Sequence, residues 1–407
     1  MGIAEQDTVP VVEVNRPGVG VVSLQIWIGA GSCAEKDGWV GSGLAHFLEH
    51  MVFKGTESRS AAMINRQAEL LGGYLNAYTS YDRTVYHIEL PAENAVEGLD
   101  LLADFVWHPA LSDHGFESER EVILREIAMT RDDPENHLFE EMMRAAFPSD
   151  TCRYPVIGLE PSFLNLDLHA LRSFHRENYF SGECFLLLAG DISEELRLRA
   201  KFLVPRKNKS LRDPARWSGE QGAAQVRLTG SWEGSRGSLI FPLKIDTPRT
   251  ALQAEVLLES LVGGESSLLN RVLRLENSLV HQVDGFIFPV GGCSVLVLSW
   301  TADRENLGKV EKTILAEFEQ IARGDSIDDW FTDGRDRLAF RMMSRIESID
   351  GLAEWIGDGY RLFGEVLDSS VEMEELRSLK QEDFRNFVGG VVNTAKAVVG
   401  QLSSADR

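Results

Sequence analysis

Residues Gly41–Thr56 read GSGLAHFLEHMVFKGT. From Gly43 to about Phe53 the apolar residues Leu44, Phe47, Leu48, Met51 and Val52 recur at helical spacing. The stretch is therefore expected to be a helix with His46, Glu49 and His50 among its polar positions. Four residues separate the two histidines, which puts them one turn apart and about 40° around the axis. Both imidazoles can then reach one metal ion. Glu49 lies beside His50 and can reach a water on that ion without ligating it.

Two histidine ligands with a glutamate base is the logic of metallohydrolases. The order H-x-x-E-H is the inverted form of H-E-x-x-H. The pentapeptide alone does not decide the matter. Nine histidines in 407 residues leave roughly two chances in a hundred that such a pattern is accidental. A histidine on an apolar face can also simply be satisfied by a backbone carbonyl.

A third ligand is required, and zinc accepts a carboxylate. The segment ESEREVILREIAMTRDD, Glu117–Asp133, has a helical apolar stripe of Val122, Ile123, Ile127 and Met129. Glu119 and Glu126 are two turns apart on one face. One of them could hold the metal while the other supports it or the substrate amine. Read alone, either is equally a solvated helix residue, as Glu117 and Glu121 are nearby.

The bulk numbers bound the answer. A chain of 407 residues is too long for one ordinary core and suits two domains. The net charge of -22 argues against a nucleic-acid partner. No apolar run approaches the roughly 18 residues of a membrane helix, so no membrane partner is expected. The start, MGIAEQDTVPVVEV, lacks the pattern of a secretory leader. A cytoplasmic site is expected, or a periplasmic one if a leader has been removed. Cys33, Cys152, Cys184 and Cys293 lack metal-ligand spacing and read as small core residues.

Strand and helix signals recur in two rounds. In the first, VVSLQIWIGAG (Val21–Gly31) reads as a strand, followed by helices at Gly43–Phe53 and Ala61–Leu71. A strand pair broken near Ser80–Asp82 comes next, then helices over Ala92–Trp107 and His114–Arg131. CFLLLAGDI (Cys184–Ile192) is a buried strand. After a polar stretch the order repeats: GSLIFPL as a strand, helices at Ala251–Leu261 and Ser266–Glu276, two strands, then long helices. The expected fold is α+β, with two similar domains, each an antiparallel-rich sheet packed with several helices. Residues 1–206 form the metal-binding domain, 207–222 a linker and 223–407 the second domain.

These residues resemble the M16 metallopeptidase family, in particular its single-repeat branch, similar to mitochondrial processing peptidase and bacterial relatives. Members read H-F-L-E-H-M-x-F-K-G-T, which His46–Thr56 matches. Their third zinc ligand is a glutamate about 76 residues after the second histidine, a position filled here by Glu126. A further family glutamate seven residues earlier matches Glu119. GGYLNAYTSYDRTVYHIEL (Gly72–Leu90) is similar to the family's G-G-x-x-N-A-x-T-S-x-D-x-T strand, and PVIGLEP, FHRENYF and LAGDI follow in family order. The resemblance implies one Zn²⁺ per chain on His46, His50 and Glu126, with Glu49 as base. It implies that the strand around Asn76 and Ala77 receives a peptide substrate by strand addition.

The match weakens in the second half. Active members carry an arginine and, seven residues on, a tyrosine, which bind substrate. Here SSLLNRVLRLENSLVHQV (Ser266–Val283) places Arg274 at the arginine position and His281 at the tyrosine position. Leu268 stands for an earlier arginine. The resemblance thus implies a zinc-bearing subunit that needs a homologous partner chain carrying an intact Arg/Tyr pair. The competing readings are a non-catalytic assembly or binding subunit and a zinc hydrolase of a non-peptide substrate.

Overall fold

The computed structural model of the chain describes residues 8–180, 183–206, 224–230, 232, 234–323, 328–392 and 394–404. The linker expected at 207–222 lies outside the described residues. The first half runs β1 (Val11–Asn15), β2 (Val21–Ile28), α1 (Leu44–Val52), α2 (Ala61–Leu70), β3 (Tyr74–Thr79), β4 (Thr84–Pro91), α3 (Ala95–Trp107), α4 (Asp113–Asp132), α5 (Pro134–Ala146), α6 (Glu160–Phe163), α7 (Leu168–Asn178), β5 (Phe185–Gly190) and α8 (Glu194–Leu203). The second half runs β6 (Ala224–Gly230), β7 (Ser235–Leu243), α9 (Pro248–Val262), β8 (Gln282–Val290), β9 (Cys293–Ala302), α10 (Leu307–Arg323), α11 (Asp328–Arg345), α12 (Ile349–Phe363), α13 (Ser369–Ser378), α14 (Gln381–Val391) and β10 (Val398–Ser404).

The two halves build the same sheet twice. One has strand order β1-β5-β2-β4-β3 and the other β6-β10-β7-β9-β8. In each, the first strand pairs in parallel with the last and the remaining pairs are antiparallel. The α+β duplication expected from the repeated order is what the chain adopts.

β2 shows why its sheet needs cover on both faces. Val22, Leu24, Ile26 and Ile28 alternate toward a core shared with Phe47, Leu48 and Phe105. Trp27 points the other way, onto Val85, Phe185 and the α12 residues Ile349, Leu352 and Ile356. Burying each of these α12 side chains contributes roughly 1.5–3 kcal/mol. Ser23 and Gln25 share that second face, and both donate hydrogen bonds to Asp350 Oδ1, at 3.2 and 3.4 Å. Two polar strand residues are thereby tolerated under a helix.

The compact units do not follow chain order. One contains Met1–Met129, Tyr154–Ala215 and Arg345–Val366; the other contains Thr130–Arg153, Arg216–Ser344 and Leu367–Arg407. Helix α12, from the second half, therefore belongs with the first sheet. Helix α5, from the first half, belongs with the second sheet, where Phe139 meets Phe286 and Phe288. The sequence division into 1–206 and 223–407 has no such exchange. An amphipathic helix advertises an apolar face, and either sheet offers a surface that can take it. All four cysteines are buried and none is in a disulfide. Among the described residues no helix is long and apolar enough to cross a membrane.

Candidate active site

Helix α1 forms as its apolar spacing requires. Leu44, Phe47, Leu48, Met51 and Val52 are all fully buried. Its N-cap, Gly43, has φ +73° and offers no side-chain acceptor. A Cβ at Gly43 would also collide with the Ile157 carbonyl, so glycine is required twice over. The missing cap is supplied from outside the helix. Glu35, 2% exposed, accepts from Ser42 N at 3.0 Å and Ala45 N at 3.2 Å. This carboxyl thus serves the first turn of the histidine helix. Burial pushes the Glu35 pKa up to about 8 against the pull of the backbone N–H groups.

His46 and His50 share one partly buried side of α1, with ring centroids 4.7 Å apart. Glu126 reaches them from α4: Oε1 lies 3.8 Å from His46 Nε2, and Oε2 lies 3.9 Å from His50 Nε2. One donor atom from each of the three falls within 4.8 Å of the others. Zinc bonds of about 2.0–2.2 Å put tetrahedral ligand atoms roughly 3.4 Å apart. The donors stand wider, with the Glu126 oxygens at 3.8 and 3.9 Å and all three within 4.8 Å, too far for hydrogen bonds and close enough to close onto one ion. The donor set therefore fits a metal.

The surroundings fit as well. His50 Nδ1 is 2.9 Å from Glu119 Oε1. That bond fixes the tautomer that leaves Nε2 as a metal donor. Lys54, four residues after His50, pairs with the other Glu119 oxygen. Among the influences on Glu119, burial raises its pKa most, yet the His50 and Lys54 bonds bring it below the usual carboxylate range. Burial, then the neighbouring His50, lowers the His46 pKa to about 3. His46 is thus neutral and able to donate a lone pair near pH 7. Burial also pulls His50 down, but the Glu119 hydrogen bond and the adjacent carboxylates leave it above the ordinary histidine value.

Glu49 is 9% exposed. Its Oε2 accepts a 2.6 Å hydrogen bond from Thr79 Oγ1 at the end of β3. Burial raises its pKa, and Thr79 partly opposes the rise. β3 is the last strand of its sheet, pairing Asn76 with His87 and Ala77 with Tyr86 of β4. Asn76 also carries local bonds: its Nδ2 donates to Tyr74 Oη at 3.3 Å, and its Oδ1 accepts from Ala77 N.

The structure therefore gathers His46, Glu49, His50, Glu119 and Glu126 in one place, with Asn76 and Ala77 on the strand that ends at Thr79. Arg274 and His281 are each engaged with a carboxylate of their own. Arg274 Nη1 is 3.1 Å from Glu265, and His281 Nε2 is 3.5 Å from Asp303. Arg274 also lies on a wide π-helical turn, Asn270–Glu276, within the ordinary helix expected at Ser266–Glu276. Leu268 and Leu273, five apart and both buried, suit the wider turn. On α4, Val122 and Met129 are exposed, contrary to the stripe read from sequence. The buried side is instead Phe116, Glu119, Ile123 and Ile127.

Three contributors went unread in the sequence. Lys54 shares the i, i+4 face of His50, a signal that was present. Glu35 is brought in by the fold, without a local signal, and Thr79 falls at the threonine of the family's strand pattern, which assigns it no role.

Comparison with known proteins bears on this geometry. A family model for insulinase, peptidase family M16, matches residues 10–159. A second, for the peptidase M16 inactive domain, matches residues 165–332. A protein named as an uncharacterized zinc protease from Rickettsia bellii is 26% identical over 397 residues, 95% of this chain and 94% of its own length. The beta subunit of the mitochondrial-processing peptidase from Blastocladiella emersonii is 32% identical over 178 residues, 44% of this chain and 38% of its own. The crystal structure of a protease from Helicobacter pylori superposes with a TM-score of 0.87 at 22% identity, covering 98% of this chain and 97% of that one. Together the two family models span well over half of the sequence, and the first contains the histidine helix: the chain belongs to peptidase family M16.

Proposed function

We propose that the chain is the metal-bearing subunit of a zinc-dependent endopeptidase acting on short or unfolded peptides. The observation that carries this reading is the convergence of His46, His50 and Glu126 within 4.8 Å, with Glu49 on the same helix and bonded to Thr79 on an edge strand. His46, His50 and Glu126 would hold the ion, one per chain. When bound, zinc would polarise the scissile carbonyl and acidify a water.

The remaining chemistry falls to the chain's own groups. Glu49 takes a proton from the attacking water and returns it to the leaving amine. Its raised pKa brings it nearer neutrality, which suits both transfers. Glu119 holds the His50 ring in place from the opposite side. A peptide added along β3 in extended form passes Thr79, and hence Glu49. Main-chain pairing reads extended shape rather than side-chain identity, so folded substrates are excluded.

Arg274 and His281 are the weaker part of a substrate-binding pair, since histidine stands at the tyrosine position. We read the active assembly as a heterodimer with a homologous chain that supplies the intact pair. The subunit name borne by one relative supports this reading. The test is peptide cleavage by the purified chain alone and by the complex copurified from its source. Cleavage by the complex only is expected, with Glu49→Gln abolishing it. Robust cleavage by the chain alone contradicts the partner requirement. Absence of zinc favours a non-catalytic assembly subunit.

A further inference from the structure

The second unit repeats the topology of the first, so α9 stands in it where α1 stands in the first, and α11 where α4 stands. The sequences align on burial. AHFLEHMV (Ala45–Val52) matches AEVLLESL (Ala254–Leu261). At the paired positions Ala45/Ala254, Phe47/Val256, Leu48/Leu257, Met51/Ser260 and Val52/Leu261, both residues are 0% exposed. This register puts Glu255 at the place of His46 and Glu259 at the place of His50. On the other helices, buried Phe116 and Ile123 match buried Phe331 and Leu338. Glu126 then corresponds to Arg341, and Glu119 to Gly334.

The contacts follow the same plan with the charges reversed. In the first unit one carboxylate faces two imidazoles. In the second, Arg341 Nη2 lies 3.0 Å from Glu255 Oε2 and 2.6 Å from Glu259 Oε1. Glu259 is 5% exposed, and the Arg341 guanidinium offsets the cost of burying its charge. Arg337 adds a 3.0 Å hydrogen bond to the Glu259 carbonyl, and its Nε stands 3.9 Å from Glu259 Oε2; Arg341 alone of the two also pairs with the Glu255 carboxylate.

We propose that Glu255, Glu259 and Arg341 are the duplicated counterpart of the His46–His50–Glu126 site, with the Arg341 guanidinium serving as a built-in cation in place of a metal. This inference rests on reading the first triad as a metal site. The cluster ties α9 to α11 without any ion. Removing the Arg341 guanidinium leaves two carboxylates one helical turn apart, with only the more distant Arg337 beside Glu259, and a divalent cation with a preference for oxygen ligands can bridge them. Glu259 and Arg341 line an open cavity of about 730 Å³, so an added ion has a route in.

The experiment is chemical complementation in the full chain, in a His46→Ala/His50→Ala background that removes the first site. Arg341→Ala is expected to melt several degrees lower than this parent. Millimolar MnCl₂ is expected to restore most of the loss while leaving the parent unchanged. Arg341→Lys, which keeps a cation, is expected to gain nothing from Mn²⁺. If Arg341→Ala fails to fold, Arg341→Gln takes its place. The proposal is overturned if the arginine variants melt like the parent, or if Mn²⁺ shifts all of the proteins or none. The reading of the first site fails separately, through equal zinc content in the wild type and the His46→Ala/His50→Ala protein.

Discussion

Thr79 Oγ1 donates a 2.6 Å hydrogen bond to Glu49 Oε2, joining the edge strand to the base on the histidine helix. That bond favours the ionised carboxylate, against burial and the nearby Glu126 charge. Removing it in Thr79→Val raises the Glu49 pKa further. The acidic limb of kcat/KM is expected to move to higher pH, with zinc content unchanged. A pH profile of the active complex checks this. An unmoved limb would detach Thr79 from the base.

Glu119 acts on the metal through His50. Replacing it by glutamine weakens the acceptor for His50 Nδ1–H and unpairs Lys54. Zinc affinity is expected to fall by about 10–100-fold, the usual cost of losing the partner of a ligating histidine. Competition against a chromophoric chelator measures it.

Protons compete with the metal at His50, whose pKa is held above the ordinary histidine value. His46, lowered to about 3, adds no such competition near neutrality. Zinc affinity is expected to drop by about tenfold per pH unit below the His50 pKa. A titration series across pH 5 to 8 shows the slope. Glu119→Gln should shift its onset to lower pH.

Glu35 makes the fold itself sensitive to pH. Its folded pKa of about 8 lies above the ordinary 4.5. The folded state therefore holds a proton that the unfolded state has lost across this interval. The contribution is full below about 4.5 and is lost as pH rises through about 8. Glu35→Gln removes the titration. The wild type is expected to lose stability relative to this variant between pH 5 and 8, read from urea midpoints. A constant difference would contradict the assignment.

Much of this was legible in the residues. The spacing in AHFLEHMV shows a helix with two histidines on one side, and the repeated order of strand and helix signals shows a duplicated sheet. Glu126 could not be chosen from Glu117, Glu119 and Glu121 by spacing alone; the family pattern singled it out. The capping of α1 by Glu35 was not legible, because Gly43 hides the demand for an acceptor and the supplier lies eight residues upstream. The placement of α5 and α12 was also hidden. A helical apolar stripe records that a face is buried and leaves open which sheet covers it.

The central claim is that His46, His50 and Glu126 hold a zinc ion which Glu49 serves without ligating it. Zinc per chain, measured by mass spectrometry on the wild type, Glu49→Gln and His50→Ala, tests it most directly. The account predicts one, one and none. A wild type without zinc, or a His50→Ala protein that carries as much as the wild type, would contradict it.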